Sequence, residues 1–178
     1  MKKAVITAVA LTLVLCLTVG GTLAWLMDKT GEVKNTFTVG DVDIELTETL
    51  PADKTAKMVP GATIGKNPTI TVSADSENCY VFVKIDESAN LKDFISYTVA
   101  DGWTKVETGV YYRTAVANDK FAVLADNQVT VKDTVTKAMM DAVGEAKPTL
   151  AFTAYAIQSA NLKVTEIAAI WNLAKTAQ

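Results

Sequence analysis

From Asp41 to Leu46 the chain reads D-V-D-I-E-L, so that Asp41, Asp43 and Glu45 alternate with Val42, Ile44 and Leu46. A period of two does not fit a helix. It sends a charged face to water and an apolar face to a core, as in a half-covered antiparallel strand. Phe37 and Val39 extend the pattern upstream, and Gly40 leaves room for a bend. Further short runs with strand character follow at near-even spacing: 69–73, 79–85, 94–99, 103–106, 110–116, 121–124, 128–131 and 150–157. In the second of these, Cys79, Val81, Val83 and Ile85 share one face, and Tyr80, Phe82 and Lys84 the other. Many short strands between turns predict a mainly β chain, an antiparallel sandwich or barrel rather than a parallel sheet.

The punctuation between the runs is specific. A-D-G (100–102) turns the chain from 94–99 into 103–106, and E-T-G (107–109) turns it into 110–116. A-D-N (125–127) is the expected turn of a hairpin between 121–124 and 128–131. Residues 49–67, with Pro51, Pro60, Gly61 and Gly65, read as irregular. Two short helices interrupt the strands. One spans 133–143, with Val135, Met139 and Val143 on one stripe and Gly144 behind it. The other spans 164–174, with Ile167, Ile170, Trp171 and Ala174 on one stripe.

The beginning of the chain obeys other rules. Lys2 and Lys3 are the only charges before Asp28, and residues 4–19 are apolar apart from three threonines. Gly20, Gly21 and Thr22 follow, then Leu23 and Ala24. A positive start, an apolar middle and a small-residue exit are the features of a secretory signal peptide. Thr22 and Ala24 place small side chains where a signal peptidase needs them, for a cut between Ala24 and Trp25. The competing reading is an uncleaved anchor, since the uncharged stretch 4–27 is long enough to span a bilayer. Cys16 follows Leu15 and is itself followed by apolar residues, which does not suit a lipidated cysteine. The expected organisation is a signal peptide (1–24), a connector (25–34) and a single β-sandwich domain (35–178).

Charge and composition remove whole classes of function. Without the first 24 residues, 15 Lys+Arg face 20 Asp+Glu, a balance of −5. A mildly acidic domain is a poor partner for nucleic acid. The chain has no histidine. An H-E-x-x-H zinc protease and a Ser-His-Asp or Cys-His centre are therefore impossible. Once the leader is cut, Cys79 has no cysteine to pair with, so the domain is not a disulfide scaffold.

The remaining constellations each have a bland explanation. Asp41, Asp43 and Glu45 share a strand face, about 7 Å apart in succession. They could contribute to a calcium site, but no EF-hand loop is present and a solvated face is the commoner outcome. Asp75, Glu77, Asp86 and Glu87 carry the same ambiguity. Arg113, the only arginine beside sixteen lysines, suits either a bidentate carboxylate pair or, more commonly, an exposed strand position. Cys79 lies in an apolar strand with no histidine to activate it and reads as core. Trp103, Tyr111 and Tyr112 could form a sugar platform; cross-strand packing is the commoner use. Met139, Met140 and Trp171 read as core rather than interface.

One resemblance adds to this. The stretch G-G-T-L-A-W-L-M-D-K-T-G-E-V-K-N-T-F-T-V-G-D-V-D-I-E-L resembles the start of the TasA/camelysin family of exported bacterial proteins. The matching positions are Gly20, Gly21, Thr22, Trp25, Asp28, Asn35, Thr36, Phe37, Gly40, Val42, Ile44 and Leu46. Looser similarity continues in 59–72, 77–85 and 150–158. The resemblance implies cleavage by the signal peptidase dedicated to this class, a jelly-roll-like β-sandwich with one or two short helices, and, for founding members, fibres of the biofilm matrix. Some relatives are described as metalloproteases; without histidine that label is not carried over.

The expected role is a secreted, non-catalytic structural subunit of the biofilm matrix or of cell-surface fibres, with no cofactor and no metal. Self-association would proceed by donation of the strand Asn35, Thr36, Phe37, Thr38 and Val39 to a neighbouring subunit. A head-to-tail contact that does not close gives a filament. The membrane would be met only through the leader before cleavage. The alternative is a monomeric cell-surface binding module, with or without calcium support.

Overall fold

The computed structural model describes residues 41–48, 58–144 and 146–176. The leader, the connector and the segment from Asn35 to Val39 lie outside the described residues. Along the chain come β1 (Ile44–Thr47), β2 (Thr63–Gly65), β3 (Thr69–Val72), β4 (Cys79–Glu87), α1 (Leu91–Phe94), β5 (Ile95–Ser96), β6 (Thr104–Glu107) and β7 (Val110–Ala115). Then follow β8 (Lys120–Ala122), a 3-10 turn (Ala125–Asn127), β9 (Gln128–Val131), α2 (Lys137–Val143), β10 (Leu150–Gln158) and α3 (Ile167–Ala174). The strands form three sheets, in the orders β1-β3-β8, β10-β4-β7-β6 and β2-β9-β5. All pairings in them are antiparallel.

Two of these sheets share a core. Ile70 and Val72 of β3 and Phe121 of β8 meet Cys79, Val81, Val83 and Ile85 of β4. Ile44 and Leu46 of β1 and Phe152 and Ala154 of β10 pack at its margin. The alternation in β1 does what its period requires: Ile44 and Leu46 turn inward, while Glu45 and Thr47 stay exposed. Each large apolar side chain removed from water in this way contributes about 1.5–3 kcal/mol.

The opposite face of the four-stranded sheet is covered by α3. Phe82 and Val110 are buried against Ile170, Trp171 and Ala174. β4 is therefore apolar on both faces because both are covered, one by a sheet and one by a helix. A third cluster, Phe94, Val131 and Val135, sits under α2 and takes up Met139, Met140 and Val143.

Several expectations need correction. The hairpin expected around residues 125–127 does not form. β8 pairs with β3, whereas β9 pairs with β2 and β5. Asp126 and Asn127 both adopt φ 53°, and this left-handed pair redirects the chain from one sheet into another. Residues 94–99 are not one strand. Leu91 and Phe94, both buried and three apart, close a single helical turn. Only Ile95 and Ser96 then pair, with β9, and Val99 forms an isolated bridge to Leu124. A-D-G is a turn leading into β6 and not a hairpin between paired strands. β2 lies within a segment that reads as irregular.

The described residues hold three short α-helices, one more than the sequence suggests. α2 starts at Lys137 rather than at 133. Thr136 fixes that start, because its Oγ1 accepts from the Met139 amide at 3.2 Å, the geometry of an N-cap.

Candidate functional site

The residues singled out for cleavage (Ala24, Trp25) and for strand donation (Asn35, Thr36, Phe37, Thr38, Val39) lie outside the described residues. The acidic strand face is described. Asp41, Asp43 and Glu45 are all exposed. The Asp43 carboxylate accepts from Ser73 Oγ at 2.6 Å, and the Asp43 amide donates to Ser76 Oγ at 3.3 Å. These bonds tie the start of β1 to the loop after β3. Asp86 pairs with Lys84 at 2.7 Å. Among the described residues no three cysteine, aspartate or glutamate side chains gather where they could hold a metal ion.

The three-aromatic platform divides. In β7, Tyr111 faces the shared core and Tyr112 faces α3, as neighbours on one strand must. Tyr112 packs against Tyr80 and Phe82, with ring centroids 6.4 and 6.0 Å away. Trp103 stays with Tyr111. Trp171 and Cys79 are core residues, 3% and 1% exposed. Burial, followed by the nearby Asp119 charge, pushes the Cys79 thiol above its ordinary pKa.

Arg113 differs most from expectation. It stands opposite Val81 and so points inward. Its Cζ lies 3.6 Å from the Phe121 ring centroid and 5.5 Å from that of Trp103. Its Nε is buried without a hydrogen-bond partner. Burial lowers its pKa, and Asp119 opposes that shift. Gly102 comes so close that a Cβ there would lie 3.2 Å from both terminal guanidinium nitrogens.

Beside this stack is a cleft of about 700 Å³ between the end of β4, α1, β5 and the segment leading to β6. Trp103 and Tyr111 line it, with Glu87, Tyr97, Asp101 and Lys132 among its polar groups. The Tyr97 hydroxyl donates to Glu87 Oε1. Burial, then this bond, raises the Tyr97 pKa. Trp103 Nε1 donates to the Ala122 carbonyl at 2.9 Å, which fixes the indole. Lys132 Nζ donates to the Lys92 carbonyl. Sequence reasoning does not find Tyr97: it lies on no periodic stripe, and α1 and β5 are needed to bring it back to Glu87.

A second feature bears on assembly. β10 is bonded to β4 over nine residues, from Leu150 opposite Glu87 to Gln158 opposite Cys79. It forms one margin of its sheet, and among the described residues no strand pairs with its other side. No described helix is long and apolar enough to cross a membrane.

Comparison with known proteins gives one family. The family described as Camelysin metallo-endopeptidase matches residues 1–98, more than half of the chain. No curated protein and no solved structure matches. The metal in that description does not fit the donors at hand: the chain has no histidine, and the described carboxylates and thiol are not gathered.

Proposed function

The chain belongs to the camelysin metallo-endopeptidase family, and from that premise we propose that it is an exported, non-catalytic structural subunit of cell-surface or biofilm-matrix fibres. The leader is cut between Ala24 and Trp25 by the signal peptidase of its class. The freed segment from Asn35 to Val39 then adds as a strand to the next subunit. The observation that carries this reading is the margin of β10. Among the described residues no strand pairs with the other side of β10 along the nine residues in register with β4. The alternate residues that do not bond to β4 direct their backbone donors and acceptors to that side, the usual template for an added strand. Repeated head to tail, that addition generates a filament. The absence of histidine supports a non-catalytic role.

The test is electron microscopy of residues 25–178 over a concentration series, with and without calcium. Filaments above a threshold concentration are expected, and deletion of residues 25–39 should abolish them while leaving a folded core. A truncated protein that still polymerises would show that this segment is not the donor. Particles that stay monomeric throughout would favour the second reading, a surface binding module, for which the cleft beside Trp103 is the specific observation.

A further inference from the structure

We propose that the cleft beside Trp103 and Tyr111 binds an uncharged segment of a glycan chain. Its volume of about 700 Å³ falls within the range of small-ligand sites, about 300–1,000 Å³. Its charged lining residues are two of each sign, Glu87 and Asp101 against Lys92 and Lys132. The cleft therefore has no net charge with which to select an anion or a cation. Lys132 directs one of its three N–H donors to the Lys92 carbonyl.

What the cleft offers instead is a mixture of apolar rings and hydrogen-bonding groups. A sugar ring has the same mixture, with C–H faces for aromatic side chains and hydroxyls that both donate and accept. Trp103 and Tyr111, half-buried against the shared core, line the cleft with the parts of them that remain exposed. Glu87 supplies the acceptor: Tyr97 occupies Oε1, and a carboxylate has lone pairs for more donors. The Tyr97 oxygen, with its O–H directed at Glu87 Oε1, keeps its lone pairs free to accept.

The cleft is also ordered in advance. Trp103 is held by its bond to Ala122, by edge contact with Phe121 at 6.2 Å and 78°, and by the Arg113 guanidinium over its ring. Binding then costs little side-chain entropy. A peptide strand is a poorer occupant. β5, the strand that lines one wall, pairs over only two residues and is too short to template an addition.

The test is calorimetric titration of the whole chain with neutral oligosaccharides long enough to fill the cleft: β-1,4-glucan, β-1,3-glucan, α-1,4-glucan and β-1,4-linked N-acetylglucosamine. Dextran sulfate and a mixed peptide pool serve as comparators. At least one neutral oligosaccharide should bind saturably. Glu87→Gln, at an exposed side chain, and Tyr97→Phe should each weaken that binding about tenfold. Lys163→Gln, on the loop before α3, should leave it unchanged. Circular dichroism melting checks that the variants fold. The proposal is overturned if no neutral oligosaccharide binds saturably, if only dextran sulfate or peptide binds, or if folded Glu87→Gln and Tyr97→Phe bind as the parent does.

Discussion

Replacing Trp171 by alanine tests whether α3 is an integral layer of the fold. Trp171 is 3% exposed. Its ring centroid lies 5.4 Å from that of Phe82 and 5.0 Å from that of Tyr155, the latter edge-on at 83°. Its Nε1 donates to Glu107 Oε1 at 2.8 Å. Truncating a buried tryptophan costs about 3–5 kcal/mol, because transfer free energy is lost and a cavity remains. The two ring contacts keep this site away from the bottom of that range, since each contributes about 0.5–1.5 kcal/mol beyond burial. Glu107 is exposed, so water can replace the lost N–H, and the hydrogen bond itself accounts for only about 1 kcal/mol. The expected loss for Trp171→Ala is about 4 kcal/mol. Trp171→Phe keeps much of the packing and should lose about 1–2 kcal/mol. For a chain of this size the alanine variant should melt about 8–16 °C below the parent. Urea unfolding of the whole chain, followed by far-UV circular dichroism, avoids the change in fluorescence that the substitution itself causes. A loss below about 1 kcal/mol for Trp171→Ala would refute the reasoning, because no side chain buried in this way can be removed so cheaply.

Two further predictions concern the backbone and pH. Gly109 sits at φ 73°, and a Cβ there would lie 2.7 Å from the Ile85 carbonyl oxygen. Gly109→Ala should cost about 1–3 kcal/mol in a thermal melt, whereas Gly65→Ala, which meets nothing within 4 Å, should cost far less. Stability should fall as pH rises above 9.0. An unfolded cysteine releases its proton near that pH, while buried Cys79 keeps it, so the folded state binds more protons and loses ground with each step up. Tyr97 adds in the same direction above 10.0. The urea midpoint should drop over this range, and Cys79→Ala with Tyr97→Phe should flatten the drop; an equal slope in parent and variant would contradict it.

The parts of the fold that were legible in the sequence are those in which one strand or helix face decides burial. β1, β4, β10 and the stripe of α3 follow from periodicity, and the two faces of β4 divide as their residues suggest. Pairing partners were not legible. The chain around residues 125–127 looks like a hairpin because two apolar runs flank a polar turn. Nothing local reveals that β3 and β2 outcompete each run for the other. Arg113 escaped for a related reason. A charge on a strand reads as exposed, and only the positions of Phe121 and Trp103 make a half-buried guanidinium tolerable. Tyr112 separates from Tyr111 by simple alternation, which the sequence already contained. Tyr97 and Glu87 come together through α1 and β5, whose short spans leave little periodic signal.

The placement of α3 has a consequence for timing. It covers side chains that leave the ribosome well before it does, Tyr80 and Phe82 among them. β10, which completes the pairing of β4, is also distant in sequence; Ser159 bonds back to Asn78 across 81 residues. Until both arrive, the central strand lacks a neighbour and its outer face lacks a roof. Contacts so far apart form slowly, and a chain waiting for them stays open. On the export proposed above, such a delay would keep the polypeptide in the extended state that passage through a membrane requires.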